Sequence, residues 1–172
     1  MQKALFAKLA ILASGLWLAA CAPQPQIINL SSTFDPAEVK FILTDGDATI
    51  TGQAFLRQSG GGVVTCAGST VYLTPRTKYA EERSQHIYGS TLGGLFRGVL
   101  PKFVPDSSEY HELIRTTQCD AQGDFEFSNV PAGKYYVGTW VQWVIANVQQ
   151  GGAISKPVDV APGQKVSVLL TQ

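Results

Sequence analysis

Residues 119–137 of the chain, with the sequence CDAQGDFEFSNVPAGKYYV, contain two turns, one strand and the start of another in close succession. Asp120 to Gly123 fits a β-turn, because Asp at the first position bonds its own backbone and Gly suits the fourth. Phe125 and Phe127 alternate with acidic residues, so the two rings share one face of a strand. Val130 to Gly133 is a second turn, in which proline fixes φ before the next strand begins.

Outward from this stretch, the chain repeats short runs of alternating residues that are separated by turn-forming residues. Strands are predicted at residues 39–44, 49–57, 63–66, 69–74, 110–117, 134–148, 153–160 and 165–171. Residues 63–66 and 69–74 form either a strand pair or one strand that is broken at Ala67-Gly68. Seven or more short strands with turn signals at regular spacing indicate an all-β protein, built as an antiparallel sandwich. A hydrophobic content of 45% is enough for one globular core.

One segment interrupts the β pattern. Residues 75–85 favour a short helix, because Thr74 can cap it and Pro75 suits a first helical position. Residues 87–108 then form a long loop with apolar residues, among them Phe96 and Phe103. Loops of this length are uncommon in compact domains. Two hypotheses follow: the loop covers an open edge of the sandwich, or it forms a surface for a ligand or partner.

The N-terminus predicts a signal peptide at residues 1–20. Lys3 and Lys8 supply positive charge, and the apolar run that follows is too short to span a bilayer comfortably. The segment ends in Leu-Ala-Ala-Cys at residues 18–21, which resembles a bacterial lipobox. That resemblance implies a diacylglyceryl group and a further acyl chain, such as palmitate, on Cys21. The alternatives are an ordinary secretory signal with a chance cysteine, or an uncleaved anchor helix.

Three ranges follow as the predicted domain organisation. They are the signal peptide at 1–20, the lipidated cysteine with a tether at 21–38, and the β domain at 39–172. Within the tether, Ile27, Ile28 and Leu30 are apolar enough to dock on the domain. Ala22 follows the cysteine, and by resemblance to Gram-negative lipoproteins this favours the outer membrane as the location.

The two cysteines that remain after lipidation are Cys66 and Cys119. The compartment outside the inner membrane is oxidising, so the sequence predicts a disulfide between them. A disulfide that closes a loop of this size would raise the free energy of unfolding by about 4 kcal/mol. The alternative is a pair of buried free thiols.

Composition and motifs argue against several classes of function. The chain has 13 basic and 13 acidic side chains, a balance that argues against a nucleic-acid partner. Its two histidines, His86 and His111, have no carboxylate or cysteine at metal-ligand spacing, so neither a metal nor another cofactor is predicted. No nucleophile elbow and no phosphate-binding loop occurs in the sequence.

The combined motifs resemble the carboxypeptidase-regulatory-like domain. The resemblance rests on Ile50-Thr51-Gly52, on residues 68–75 and above all on residues 119–137. It covers residues 39–172 and implies a prealbumin-like (transthyretin-like), seven-stranded, Greek-key-type sandwich. Two features depart from the pattern: Cys66-Ala67-Gly68 replaces a proline turn, and residues 75–108 are inserted. In that family the domain is usually a non-catalytic accessory, adhesive or carbohydrate-proximal module.

Related sandwiches also occur in two enzyme families. Hydroxyisourate hydrolases end in a Tyr-Arg-Gly-Ser tail, which residues 169–172 do not match. Intradiol dioxygenases bind iron through two tyrosines and two histidines, and the spacing here does not match theirs.

We therefore expect a lipid-anchored envelope protein, not an enzyme, whose domain binds an envelope partner or has a structural role. One alternative is a glycan- or peptidoglycan-binding module that uses exposed aromatic residues. Trp140 and Trp143 lie three positions apart on one strand, so they face opposite sides, one in the core and one exposed. The candidate binding residues are Trp140, Trp143, Phe96 and Phe103. The second alternative is an enzyme in which the 87–108 loop covers His86, His111 and a tyrosine.

Overall fold

The computed structural model describes residues 24–172 of the chain. The signal peptide and Cys21, the predicted lipidation site, lie outside the described residues. The described part is mostly β structure, with eleven strands, two α-helices and two 3-10 turns. The strands are β1 (Ile27–Asn29), β2 (Ala48–Arg57), β3 (Val63–Thr65), β4 (Thr70–Pro75), β5 (Gly94–Phe96), β6 (Lys102–Val104), β7 (Arg115–Gln118), β8 (Asp124–Val130), β9 (Gly133–Ile145), β10 (Val148–Val160) and β11 (Lys165–Leu170). The helices are α1 (Lys78–Tyr88) and α2 (Ser108–Glu112).

One layer is a five-stranded antiparallel sheet in the order β5-β10-β9-β4-β7. Its centre is the long β9–β10 hairpin, whose turn is formed by Ala146 and Asn147, both with positive φ. Two residues with left-handed backbone suit a tight hairpin connection, because their twist matches that of the strands. The hairpin continues beyond the last residues that pair with β4 and β5, Thr139 and Ala153.

The second layer is a four-stranded sheet built around β2. β8 and β3 pair antiparallel with one side of β2, and β11 pairs parallel with the other. The predicted all-β sandwich is therefore confirmed, although its second sheet is mixed. The strand count also exceeds the expected seven: eight strands form the rest of the sandwich, and the N-terminal and inserted segments add β1, β5 and β6.

The core lies between the two sheets. Phe125 and Phe127 of β8 face it as the alternation predicts, and Val137 and Val141 of β9 meet them from the opposite sheet. Tyr135 is fully buried, and its hydroxyl donates to the Pro131 carbonyl oxygen at 2.7 Å. This bond gives the buried phenol a partner and fixes the turn between β8 and β9.

The predicted disulfide between Cys66 and Cys119 is confirmed. Both cysteines are buried in the core cluster, with Cα atoms 5.8 Å apart. Cys66 follows β3 and Cys119 follows β7, so the bond ties the second sheet to the edge of the first.

The prediction of a strand at residues 39–44 is wrong. This segment forms a 3-10 turn, Lys40–Leu43, which directly follows a second one, Pro36–Glu38. Arg115 explains how the segment stays folded: its Nε donates to the Ile42 carbonyl at 2.7 Å, and Nη2 donates to the Thr44 carbonyl. A side chain from a distant strand thus provides the partners that a sheet would have provided.

The limits of the predicted helix and of the strand after it also need correction. Pro75 ends β4, and α1 starts after Thr77, whose Oγ1 accepts from the Ala80 N–H at 3.3 Å. The first part of residues 110–117 belongs to α2, and β7 begins only at Arg115. The inserted loop is thus partly structured, with β5, β6 and α2 inside or at the end of it.

The N-terminal segment lies against the inserted segment. β1 pairs in parallel with β6, with Ile28 opposite Phe103. The Glu82 carboxylate then accepts from the backbone N–H and hydroxyl groups of Ser31 and Ser32, including 2.7 and 2.8 Å bonds to the two backbone nitrogens. These hydrogen bonds, led by the Ser31 backbone bond, lower the pKa of Glu82 to about 2.

Within residues 24–172, no helix has the length and apolar character that a membrane crossing requires.

Candidate functional site

The outer face of the five-stranded sheet carries the candidate site. Side chains of β9 alternate across the sheet, so Tyr136, Gly138 and Trp140 face away from the core, while Val137 and Val141 face into it. α1 covers this outer face. At the C-terminal end of α1, two hydroxyl groups bond the segment that follows the helix. Ser84 Oγ donates to the Ser90 carbonyl at 2.8 Å, and the Tyr136 hydroxyl donates to the Thr91 carbonyl.

A half-enclosed cavity of about 180 Å³ remains between α1 and the sheet. A single water needs about 10–15 Å³ of such space, so the cavity can hold a ligand several times larger than a water. Its walls combine aromatic rings with hydroxyl groups. The lining side chains with rings or polar groups are Tyr72, Thr74, Arg83, Ser84, Tyr88, Tyr110, Tyr136, Thr139, Trp140 and Ser155.

The two tryptophans of β9 lie on opposite sides of the sheet. Trp140 lines the cavity, and Trp143 packs against the core cluster. Trp143 Nε1 is the one fully buried side-chain nitrogen or oxygen without a hydrogen-bond partner in residues 24–172. Both rings are half-buried, but the ring of Trp140 borders a depression that a ligand could enter, whereas the ring of Trp143 packs on the core.

A groove of about 290 Å³ lies on the other side of Trp140. Its polar lining consists of three amides and one guanidinium, contributed by the β9–β10 hairpin and the segment after β5. These side chains are Gln142, Gln149, Gln150 and Arg97. Because Trp140 lines both depressions, its ring stands between a half-enclosed cavity and an amide-rich groove.

Arg83 is the charged residue of the cavity wall. It is only 8% exposed, and its guanidinium carbon lies 4.2 Å from the ring centroid of Phe103 and 4.5 Å from that of Tyr110. Nη1 donates to Asp106 Oδ1 at 2.6 Å and to the Tyr79 hydroxyl at 3.1 Å. Rings and carboxylate together fix the position of this cation.

Asp106 connects Arg83 to α2. Its Oδ1 also lies 3.1 Å from His111 Nε2. Partial burial alone would raise the pKa of Asp106, but the hydrogen bond and charge of Arg83, with a smaller effect from His111, lower it overall. The carboxylate is thus ionised at neutral pH and balances the charge of Arg83.

Burial shifts the titration of three phenols of the cavity wall. It raises the pKa of Tyr88 and of Tyr110 to about 12 each, and it raises the pKa of Tyr136 as well. At neutral pH these hydroxyls keep their protons and can act as hydrogen-bond donors.

The other predicted site residues lie outside the cavity. Phe96 is half-buried on β5. Phe103 does not lie on the surface: it is 5% exposed, because its ring packs beneath Arg83. His86 packs near Phe103 and His111 contacts Asp106, and neither histidine lines the cavity. No group of three metal-ligating side chains is found in residues 24–172.

Sequence reasoning missed the polar residues that α1 contributes, chiefly Arg83, Ser84 and Tyr88. Their one signal was the helical spacing of Ala80, Arg83, Ser84 and Ile87, which all line the cavity. That spacing defines one face of a helix, but it does not distinguish a cavity wall from an ordinary packing face.

Comparison with known proteins supports the fold. No family model matches the chain, and no curated relative matches it. Among solved structures, a proposed carbohydrate-binding protein from Pseudomonas aeruginosa is similar, with a TM-score of 0.67 and 24% identity. The match covers 82% of this chain and 99% of that one. At this level of identity the likeness shows a shared β-sandwich fold.

Two pilin subunits are more distant in structure. The minor pilin of Streptococcus agalactiae matches with a TM-score of 0.37 and 14% identity, over 72% of this chain and 42% of its own. The major pilin of Bacillus cereus matches with a TM-score of 0.39 and 11% identity, over 74% of this chain and 30% of its own.

Proposed function

We propose that the chain is an envelope lipoprotein whose sandwich is a non-catalytic glycan-binding module. The observation that carries the binding half is the position of Trp140, between a cavity rich in hydroxyls and a groove rich in amides. The two histidines lie outside that cavity, so the proposal assigns the site to binding and not to acid–base chemistry.

The chemistry of the site matches that of a sugar. An aromatic ring stacks on the apolar C–H face of a pyranose, while hydroxyls and amides bond the equatorial oxygens. Trp140 supplies the ring, Ser155 supplies a hydroxyl and Ser84 an acceptor oxygen within the cavity. Gln142 and Gln149 supply amides in the groove. A glycan chain would place one sugar in the cavity and cross Trp140 into the groove.

Two resemblances support the binding half. The sandwich has the fold of a protein that is itself proposed to bind carbohydrate. Residues 119–137 resemble the carboxypeptidase-regulatory-like domain, which is usually a non-catalytic module. Both are analogies at the level of the fold, so the claim rests on the side chains of the site.

The anchoring half rests on the sequence before the described residues. Lys3, Lys8 and the tetrapeptide that ends in Cys21 are typical of a lipoprotein signal, and Ala22 favours the outer membrane. Five residues separate Cys21 from Ile27 of β1, a reach of at most about 20 Å. A lipid on Cys21 would therefore hold the sandwich close to the membrane surface, within reach of envelope glycans.

Calorimetric titration of the full chain with peptidoglycan fragments and short oligosaccharides tests the binding half. We expect binding that Trp140→Ala weakens at least 30-fold and that the matched control Trp143→Phe retains. The control removes the unpaired indole nitrogen of Trp143 but keeps a ring in the core. No heat from any sugar, or equal binding by Trp140→Ala, would refute the proposal.

Metabolic labelling with palmitate tests the anchoring half. The wild-type chain should incorporate label and fractionate with the outer membrane, and Cys21→Ser should do neither. Incorporation that persists in Cys21→Ser would show that Cys21 is not the acylated residue.

A further inference from the structure

We infer that the cavity selects a sugar that carries a carboxylate, and that Arg83 binds that carboxylate through Nε and Nη2. This inference rests on the proposed function and names the class of sugar that the same site would take.

The orientation of Arg83 is fixed before any ligand arrives. Phe103 and Tyr110 enclose the guanidinium, and Asp106 and Tyr79 hold Nη1. A guanidinium in a fixed position loses little conformational freedom when it binds an anion, and preorganisation of this kind favours affinity.

The unused edge of the guanidinium has the geometry that a carboxylate needs. The hydrogen bonds of Arg83 to described residues all use Nη1. Nε and Nη2 lie on one edge of the planar group and form a fork that can donate two parallel hydrogen bonds to a carboxylate. Neither nitrogen is among the fully buried unpaired atoms of residues 24–172. Since Arg83 is almost buried and lines the cavity, a ligand in the cavity is the partner within reach.

The charges of the site favour an anion. Among the described residues that line the cavity, Arg83 alone carries a charge, and Arg97 alone carries one in the groove. No carboxylate lines either depression within residues 24–172. An acidic sugar would thus meet two cations and no lining anion along this path.

Asp106 offsets part of the charge of Arg83, so its removal should change the affinity for an acidic sugar in a defined direction. The carboxylate contacts Nη1 and does not line the cavity, so it leaves the fork free. Removing the charge in Asp106→Asn, which keeps the shape and an oxygen acceptor, should therefore strengthen binding of an acidic sugar. Binding of a neutral sugar should not change.

Matched sugar pairs test the inference on the unmodified full chain. N-acetylmuramic acid differs from N-acetylglucosamine by a lactyl ether with a carboxylate, and glucuronic acid differs from glucose by its carboxylate. NMR titration of the chain should give dissociation constants at least tenfold lower for the acidic member of a pair. The two pairs distinguish a muramic acid from a uronic acid as the source of the carboxylate. Added salt should weaken binding of the acidic member only.

Two variants check that Arg83 is responsible. Arg83→Gln combined with Asp106→Asn removes both charges without leaving either one unpaired, and should abolish the preference for acid. Asp106→Asn alone should increase that preference. Near-ultraviolet circular dichroism establishes that each variant is folded, and the sugar pairs test the inference even where a variant is not.

Equal affinity for acidic and neutral members, or tighter binding of the neutral one, would overturn the inference and leave the glycan-binding proposal in place. No binding by any sugar, including the oligosaccharides, would overturn both.

Discussion

The two faces of strand β9 have different surroundings: one lies in the core and the other borders the cavity. The inner face carries Tyr135, Val137 and Val141, which are fully buried and close the sandwich core. The outer face carries Tyr136, Gly138 and Trp140, which border a cavity beneath α1. One face has apolar neighbours from both sheets, and the other has hydroxyls and a guanidinium from an inserted segment.

The residues of the inner face of β9 determine the fold, whereas those of the outer face would determine which ligand binds. The inner face is complementary to strands that any sandwich of this type has. The outer face depends on α1 and on the segment that follows it, which supply Arg83, Ser84 and Tyr88. Changes to the inner face should therefore affect stability, and changes to the outer face should affect binding.

The largest effect on stability is expected from loss of the disulfide, whose two cysteines are buried in the core. Replacing both cysteines, as Cys66→Ala with Cys119→Ala, removes a cross-link over a sequence separation of 53 residues. The chain-entropy model gives a loss of about 4 kcal/mol in the free energy of unfolding. Denaturant titration measures this loss. Sugar affinity under folding conditions should stay unchanged, and a loss of affinity in a folded variant would contradict the separation of the two faces.

The two tryptophans provide the sharpest contrast. Trp143→Ala removes a ring that packs on the core, and should lower the free energy of unfolding by about 2–3 kcal/mol with sugar affinity unchanged. Trp140→Ala should change stability by less than about 1 kcal/mol. It should weaken sugar binding at least 30-fold, because a stacked tryptophan at the centre of a site contributes 2 kcal/mol or more. Thermal unfolding and calorimetry measure both quantities. Equal losses of affinity in the two variants would contradict the assignment of Trp140 to binding and Trp143 to packing.

The smallest effect is expected at Glu82, where the N-terminal segment meets α1. Its folded-state pKa of about 2 lies below the ordinary 4.5, so its stabilising contribution is complete above about pH 4.5. That contribution is lost as the pH falls from 4.5 through 2, because protonation ends the carboxylate's role as acceptor for Ser31 and Ser32. Amide chemical shifts of the two serines should follow this titration. Glu82→Gln should remove it, and the neighbouring Glu81→Gln should leave it intact.

The sequence was sufficient for the parts of the fold in which neighbours along the chain provide the signal. Alternation predicted β8 and β11, and it placed Trp140 and Trp143 on opposite faces of one strand. The same alternation misassigned residues 39–44, because their carbonyls bond Arg115, 73 residues away from Ile42. A local pattern does not contain a contact of that kind.

The candidate site was harder to predict for the same reason. Residue type and the neighbouring amides of the hairpin single out Trp140 and Trp143 together, and they do not tell which of the two is exposed. Arg83 gave no signal, since a single arginine in a short helix is usually solvated. Its role depends on Phe103, Asp106 and Tyr110, which come from later segments of the chain and meet it only in the folded state.

The most direct measurement follows the indole Nε1–H signals of the two tryptophans in one titration. Trp140→Phe and Trp143→Phe assign the signals in proton–nitrogen correlation spectra of the full chain, and peptidoglycan fragments are then added. We predict that the Trp140 signal shifts in a saturable way while the buried Trp143 signal stays in place. A shift of Trp143 without Trp140, or no shift of either, would contradict the assignment of the outer face to ligand binding.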